Sequence, residues 1–190
     1  MGAWADSREG ATGPACRVEF GVIVLRLAKI ALVAATAFFA SLVAFGNITD
    51  YGSNFEFVKH VLDMDTIFPT STIRYRALTS PWIHTLGYCL IIGAELLTAL
   101  LCWAGVYALL TKLAAKASSF NRAKNWAIGG LTFGFLTWQV GFMSVGGEWF
   151  GMWMSTEWNG IESAFRFSTT IIAVLIFVAL PDKEPEEAVR

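Results

Sequence analysis

The sequence predicts an all-α membrane protein with four transmembrane helices and an amphipathic helix, on the periplasmic side, between the first two. Three observations lead to this class. Of the 190 residues, 55% are hydrophobic and 15% are charged, whereas charged residues make up about a quarter of a typical soluble domain. The mean hydropathy is +0.54. Finally, four windows contain the roughly 20 mostly apolar residues that a helix needs to cross a hydrocarbon core.

The four predicted spans differ in how well they fit a bilayer. They cover about residues 22–45, 82–110, 126–145 and 161–180. The second is longer than the hydrocarbon core requires, so we expect it to tilt or to project from the membrane. The fourth reaches span length only if Glu162 and Arg166, neighbours on one helix face, lie at its outer end. Residues 1–21 and 181–190 are then tails.

Lysine and arginine residues near the span ends predict the direction of the chain. They precede or open the first span and follow the second: Arg8, Arg17, Arg26, Lys29, Lys112, Lys116, Arg122 and Lys124. Because such residues favour the cytoplasmic side, we expect both tails in the cytoplasm. In a bacterium this places the protein in the inner membrane, with the loops after the first and third spans in the periplasm.

The polar stretch between the first two spans, residues 46–69, predicts an outer helix. Ser53 followed three residues later by Glu56 is typical of a capping box, so we expect a helix over about residues 54–64. Its apolar residues share one side of the helical wheel, and its charged residues and His60 share the other. Such a helix lies on the membrane surface or caps the bundle.

Two stretches carry a family resemblance, GNITDYGSNFEFVKHVLDMDTIFP and, after it, PWIHTLGYCLIIGAELLTALLC. They resemble a bacterial family of predicted small integral membrane proteins of unknown function (domain of unknown function 2165). The resemblance covers nearly the whole chain, from the first span to the fourth. It implies the four-span layout and offers no established activity, cofactor or catalytic residue.

Four polar side chains fall at similar predicted depths, one in each span. At 1.5 Å of rise per residue, Glu95 is about 22 Å from the cytoplasmic end of its span, and Thr36, Gln139 and Arg166 are about 20 Å from theirs. Because polar groups in a bilayer are costly, each is expected to find a partner. In one interpretation Glu95 meets Arg166, or is protonated and bonded to Gln139, and the layer fixes the bundle. In the other, Glu95 handles protons or ions.

The second span also carries a polar stripe. One helix face collects residues at three-and-four spacing: His84, Tyr88, Ile91, Glu95, Thr98 and Cys102. Packing inside the bundle is one interpretation of this stripe, and a polar path from the outer surface along His84, Tyr88 and Thr98 is the other. Two pairs of small residues, Gly130 with Gly134 and Ala31 with Ala35, predict close helix contacts.

Both histidines fall on the outer side of the predicted bundle. His60 and His84 could ligate a haem iron, or a metal ion together with neighbouring acids. The alternatives are a solvated His60 and a His84 that bonds to a loop carbonyl. The sequence contains no HExxH, no CxxC and no phosphate-binding glycine loop, so no motif supports an enzyme or a particular cofactor.

Three roles follow from these patterns. The first is a non-catalytic accessory or scaffold subunit, with the lipid bilayer and other membrane protein subunits as partners. The second is a small proton- or ion-linked transporter or channel that uses the buried carboxylate of Glu95. The third is a redox subunit that binds haem or a quinone. A net charge of −1 without a basic patch excludes nucleic acid as a partner.

Overall fold

The computed structural model describes residues 14–183, with side chains from residue 21 onward; Arg8, the side chain of Arg17 and the tail beyond residue 183 lie outside it. The helices are α1 (Pro14–Thr49), α2 (Tyr51–Asp63), α3 (Pro81–Leu110), α4 (Ala117–Leu136) and α5 (Ile161–Ala179). A π-helical segment, Thr137–Trp149, continues α4, and short 3₁₀ turns cover Arg74–Arg76 and Met152–Met154. Four helices, counting α4 with its extension as one, are long and apolar enough to span a membrane. The predicted all-α class with four candidate membrane spans is confirmed, and the periplasmic position of the helix between the first two spans stays a prediction.

The four long helices form an antiparallel bundle in chain order. The closest neighbours are α3 with α4 and α1 with α3, and α5 packs mainly on α4. We call the end that holds α2 and residues 150–160 the cap end, and the end that holds residue 183 the tail end. Because the chain crosses the bundle four times, residues 14 and 183 both lie at the tail end.

Small residues allow α3 and α4 to approach closely. A Cβ atom built on Gly130 would lie 2.7 Å from the backbone nitrogen of Cys102, and one on Gly134 would lie 2.8 Å from Cγ2 of Thr98. The close contact expected at Gly130 and Gly134 is therefore present. The close contact expected at Ala31 and Ala35 does not form within the bundle, because both residues are exposed. The buried face of α1 instead carries Val33, Ala37, Ala40 and Ala44.

The amphipathic helix α2 begins earlier than the expected residue 54. Only Asp50 separates it from α1, and Asp50 rather than Ser53 occupies its N-cap position. The capping box does not form, because the hydroxyl of Ser53 donates to Oδ1 of Asp50 at 2.9 Å. The helix ends at Asp63, where Met64 adopts the left-handed conformation with φ of 52°.

Other helices also run past their predicted ends. α1 begins at Pro14, inside the predicted tail, and continues to Thr49 instead of stopping near residue 45. The third span extends to Trp149 instead of 145 because its π-helical segment includes Gly146 and Gly147. Hydropathy locates the apolar centre of a span, whereas hydrogen bonding continues into the polar residues that flank it.

The cap-end part of α3, residues 81–87, projects beyond α1, whereas the expected tilt or projection from the membrane stays a prediction. The hydroxyl of Tyr88, in the third turn of α3, donates to the backbone oxygen of Asn47 near the end of α1 at 2.7 Å. The part of α3 above this point packs against α2. A Cβ atom on Gly87 would lie 3.4 Å from Leu62 and 4.0 Å from Val58, so α2 caps the bundle instead of floating beside it.

Candidate functional site

A polar cavity of about 320 Å³ lies inside the cap end of the bundle. Residues from α1, α2, α3, α5 and the π-helical segment line it. Its polar lining groups are Asn47, Asn54, Asn159, Ser163 and Glu95, with the phenol of Tyr88 beside them. The exposed residue Asn159 marks the mouth of the cavity, and the fully packed Glu95 marks its inner end.

Glu95 is the central ionisable group of this cavity. Its side chain is only 1% exposed. The amide nitrogen Nδ2 of Asn47 donates to its Oε2 at 2.7 Å, and no ion pair among residues 21–183 includes Glu95. A buried carboxylate without a basic partner is costly while it is charged. Such a group therefore takes up a proton or a cation.

Aromatic rings form much of the cavity wall. Five of them line it, from α2, α3, α5 and the π-helical segment: Phe57, Tyr88, Trp138, Phe142 and Phe167. The rings of Trp138 and Phe167 meet nearly edge to face, with centroids 5.8 Å apart. Each also packs against Phe39 behind the wall, so these two rings are held in fixed orientations.

The cavity is closed toward the tail end. One helical turn below Glu95, Thr98 is fully buried and its hydroxyl bonds to the backbone of α3 itself. Below it, Cys102 is also fully buried against Gly130. Along α3 the cavity therefore ends at Glu95.

An apolar groove of about 540 Å³ lies on the other side of the cavity wall, between α2, α3 and the π-helical segment. Phe57, Val58, Ile91 and Phe142 line both spaces. The exposed leucine Leu90, which lines this groove, is typical of a surface that contacts acyl chains.

The structure divides the four residues that the sequence places in one polar layer: Thr36 and Arg166 line a separate pocket between α1 and α5, whereas Glu95 lines the cap-end cavity. Glu95 contacts Asn47 instead of Arg166 or Gln139. Arg166 is exposed and donates to the hydroxyl of Ser163 at 3.1 Å. Thr36 is buried, but its hydroxyl donates to the backbone of α1 at Leu32.

Gln139 is half-buried in the π-helical segment and does not line the cavity. The roles that the sequence suggests for Thr36, Gln139 and Arg166 stay predictions. Thr36 does not line the cavity with Asn47 because it lies 11 residues earlier on α1. That separation places it about 16 Å closer to the tail end. Counting depth from hydropathy boundaries hides this difference, since α1 extends well beyond both of its predicted ends.

The polar stripe of α3 faces the interior. His84, Tyr88, Glu95, Thr98 and Cys102 are all buried, and Tyr88 and Glu95 line the cavity. Thr98 does not, and His84 lies above it in the cap. A polar path along the whole stripe stays a prediction, since the cavity covers only its middle part.

His84 holds the segment between α2 and α3 in place. Its Nε2 lies 2.6 Å from the backbone oxygen of Leu78 and 3.1 Å from Oδ1 of Asp63, and its side chain is 4% exposed. The predicted bond from His84 to a loop carbonyl is therefore present. This imidazole joins α3 to the end of α2 and to the loop after it.

Replacing His84 with alanine is expected to lower the free energy of unfolding by about 1–3 kcal/mol, because it leaves the Leu78 carbonyl without its hydrogen-bond partner and removes the imidazole beside Asp63. Chemical denaturation in detergent measures this loss. His60→Ala is the matched control, since His60 is a half-exposed histidine of the same end of the protein. Equal stability of His84→Ala and wild type would contradict the assignment.

His60 occupies a different environment from His84. Its ring stacks on Trp158 with a centroid distance of 4.7 Å, and its Nδ1 lies 2.7 Å from Oδ2 of Asp65. In the part of the chain that the structure covers, no three His, Cys, Asp or Glu side chains are arranged to hold a metal ion. Metal or haem ligation by His60 and His84 stays a prediction.

Comparison with known proteins gives the family. A family model for predicted small integral membrane proteins (DUF2165) matches residues 25–181. The chain belongs to this family. The family's description names a membrane protein and no activity, in agreement with the four candidate spans. No curated protein and no solved structure matches the chain.

A second charged site, which the sequence did not reveal, lies at the tail end of this family member. The carboxylate of Asp182 forms ion pairs with three buried basic side chains: Arg26, Lys29 and Lys124. The side-chain amide of Asn121 donates to the backbone oxygen of Asp182 and accepts from the backbone N–H of Asp182, both at 2.9 Å. The amines of Lys29 and Lys124 also both donate to the backbone oxygen of Leu180 at 2.7 Å.

This cluster fixes the start of the C-terminal tail on the bundle. Burial raises the pKa of the Asp182 carboxyl, but hydrogen bonds from Lys124 and Lys29 outweigh that effect and hold the pKa below its ordinary value of 3.8. Asp182 is therefore ionised at neutral pH. Its charge offsets part of the positive charge on α1 and α4, and Arg26 gains a further partner in the ring of Phe120, 4.6 Å away.

Proposed function

We propose that this integral membrane protein is a small proton- or cation-linked transporter that uses Glu95 as its binding carboxylate. The observation that carries the proposal is a buried carboxylate at the inner end of a cavity that opens at the cap end, with an amide as its hydrogen-bond partner. Membrane-embedded acids without a fixed counter-charge are typical of ion and proton pathways.

The shape of the cavity supports a transport cycle with alternating access. The path stops at Thr98 and Cys102, where α3 and α4 are in close contact. Release toward the tail end then requires α3 and α4 to separate below Glu95, so the described conformation corresponds to the state that is open toward the cap end. Small residues at that contact allow two helices to slide or part without unlocking large interdigitated side chains.

The charge distribution favours a cytoplasmic tail end. Lys112, Lys116 and Arg122 are exposed there, and Arg26, Lys29 and Lys124 are buried close by. Because the Lys and Arg bias of short loops sets orientation, we propose that both termini are cytoplasmic and that the cavity opens to the outer face. In a bacterium that face is the periplasmic side of the inner membrane.

Proteoliposomes test the transport proposal. Purified protein with wild-type Glu95 is expected to move protons in exchange for a monovalent cation. Glu95→Gln is expected to reduce the rate about tenfold or more, because the amide cannot carry the negative charge. A pH-sensitive dye inside the vesicles measures the flux, with Na⁺, K⁺ and small organic cations tried in turn.

Two features make this experiment decisive. Glu95→Gln keeps the size of the side chain and can still accept the bond from Asn47, so folding should survive; a thermal denaturation curve checks this. Glu162→Gln is the matched control, since Glu162 is an exposed acid in the first turn of α5. Equal flux in wild type, Glu95→Gln and empty vesicles would overturn the proposal.

The other two roles predicted from the sequence remain open to test. Native extraction followed by mass spectrometry would support an accessory or scaffold subunit if other membrane proteins were recovered in fixed proportion. A visible absorption spectrum of the purified protein would reveal bound haem, and extraction with organic solvent would reveal a bound quinone. We favour the transporter because the cap-end cavity and the buried carboxylate of Glu95 support it.

A further inference from the structure

The size of the cap-end cavity indicates the kind of ligand that it could hold. A volume of about 320 Å³ lies at the lower end of the range for small-molecule sites, about 300–1,000 Å³. A bare metal ion would fill only a small part of this space. Metal ions also need several oxygen or nitrogen ligands at short distance, whereas Glu95 is the only carboxylate among the described residues that line the cavity.

The aromatic wall gives the second indication. Phe57, Tyr88, Trp138, Phe142 and Phe167 come from four different elements and converge on the same space as Glu95. The faces of aromatic rings attract ammonium groups, and cages of such rings are the usual means by which proteins recognise methylated ammonium ions. A purely apolar ligand would leave the Glu95 carboxylate with the neutral Asn47 amide as its hydrogen-bond partner and with no counter-charge among the described lining residues, which is costly in a buried site.

The charges around the cavity give the third indication of the ligand. Glu95 and Tyr88 are the titratable groups among its described lining residues: α1 contributes Val43 and Asn47, α2 contributes Asn54, Phe57 and Val58, and the remaining residues are uncharged as well. No lysine, arginine or histidine of the described chain lines the cavity to neutralise Glu95. A ligand with one positive charge would supply the missing counter-charge.

We propose that the ligand of this cavity is a small organic ammonium ion, held by the Glu95 carboxylate inside a cage of aromatic rings. The inference rests on the proposed function and names its substrate class. The positive nitrogen lies against Glu95 and the face of Trp138. The side-chain nitrogens of Asn47 and Asn54 already donate to Glu95 and to the Asp50 backbone oxygen, so their Oδ1 atoms accept from hydroxyl groups elsewhere on the ligand. The proton competes with the ammonium ion for the same carboxylate, which links uptake to pH.

Binding of radiolabelled choline to the full chain in lipid nanodiscs tests the substrate class. Unlabelled choline and tetramethylammonium are expected to displace the label. The uncharged isostere of choline, 3,3-dimethylbutan-1-ol, should compete at least about thirtyfold less well, because it lacks the charge that Glu95 and the rings recognise. Na⁺ and K⁺ should not compete. Binding should also weaken as the pH is lowered, since protonation of Glu95 removes the negative charge.

Two variants assign the binding to this cavity. Glu95→Gln is expected to abolish displaceable choline binding, and Trp138→Leu is expected to weaken it about tenfold or more. Glu162→Gln is the control with an exposed acid, and Trp126→Leu is the control with an exposed tryptophan on α4. If Trp138→Leu failed to fold, Phe142→Leu would test the same cage from the half-buried side of the wall.

The outcomes separate this inference from the proposed transport. Choline binding that depends on Glu95 without any flux would support the substrate class and overturn transport. Proton or inorganic cation flux that depends on Glu95, without choline binding, would overturn the organic ammonium ion and leave transport standing. Equal competition by choline and its uncharged isostere would overturn recognition by charge, and unchanged binding in Glu95→Gln would overturn the assignment to this cavity.

Discussion

Replacing Gly105 with alanine is expected to destabilise the bundle more than any other single methyl group added to α3. A Cβ atom at Gly105 would lie 2.6 Å from both the Cα and the backbone nitrogen of Ala127. Because these are backbone atoms of α4, no side-chain rotation can relieve the contact, and the two helices must move apart. We expect a loss of about 3 kcal/mol or more, at the upper end of overpacking effects, measured by unfolding in mixed detergent micelles.

Gly93 provides the matched control on the same helix. It is exposed, and a Cβ atom there would meet nothing within 4 Å, so Gly93→Ala should leave stability unchanged or raise it slightly through helix propensity. Gly129 and Gly130 form a second matched pair on α4, since Gly129 faces open space and Gly130 faces the backbone of Cys102. If Gly105→Ala and Gly93→Ala unfolded at the same detergent concentration, close contact would not hold α3 against α4.

The difference between Gly105 and Gly130 also shows what a single sequence can predict about packing. Gly130 and Gly134 form a small-xxx-small pair, and this spacing correctly predicts a contact face. Gly105 has no such partner at four residues, and only the position of Ala127 on the opposite helix makes it critical. Spacing along one helix indicates a face, whereas the depth at which two helices cross depends on both chains.

The candidate site shows the same limit. Glu95 stands out in the sequence because an acid inside an apolar stretch is costly, and the three-and-four spacing correctly turns it inward. Its partner Asn47 does not stand out, because it lies beyond the predicted end of the first span. The helical extension to Thr49 brings Asn47 beside α3, and this extension could not be read from hydropathy.

The buried position of Asp182 could not be predicted from the sequence for a related reason. Its neighbours in PDKEPEEAVR are charged or turn-forming, a composition typical of a solvated tail. In the structure its side chain is 1% exposed and contacts Lys29 at 2.8 Å. The basic residues Arg26 and Lys124, which predict orientation, thus have a second use as partners of this acid. A charged residue next to a span end is a candidate for such a cluster whenever opposite charges lie at the same end of the bundle.

Replacing Asp182 with asparagine should therefore lower the free energy of unfolding by about 3–5 kcal/mol, the usual cost of removing one partner from a buried ion pair. The variant leaves Arg26, Lys29 and Lys124 buried without their shared anion. Unfolding in detergent measures the loss, and Glu157→Gln, at an exposed acid outside the described ion pairs, should show none. Adding Lys124→Met to Asp182→Asn should recover part of the stability, because it removes one unpaired cation.

The dependence of stability on pH gives Asp182 an independent signature. Because its folded pKa lies below the ordinary value of 3.8, its contribution is fully present above that pH and disappears as the pH falls through the lower, folded pKa. Wild type should therefore lose stability more steeply than Asp182→Asn below about pH 4, while the gap between them stays constant from about pH 5 to 7. Parallel curves over the whole acid range would mean that folding leaves the pKa of Asp182 unchanged, and this result would contradict stabilisation of its charged form by the three basic side chains.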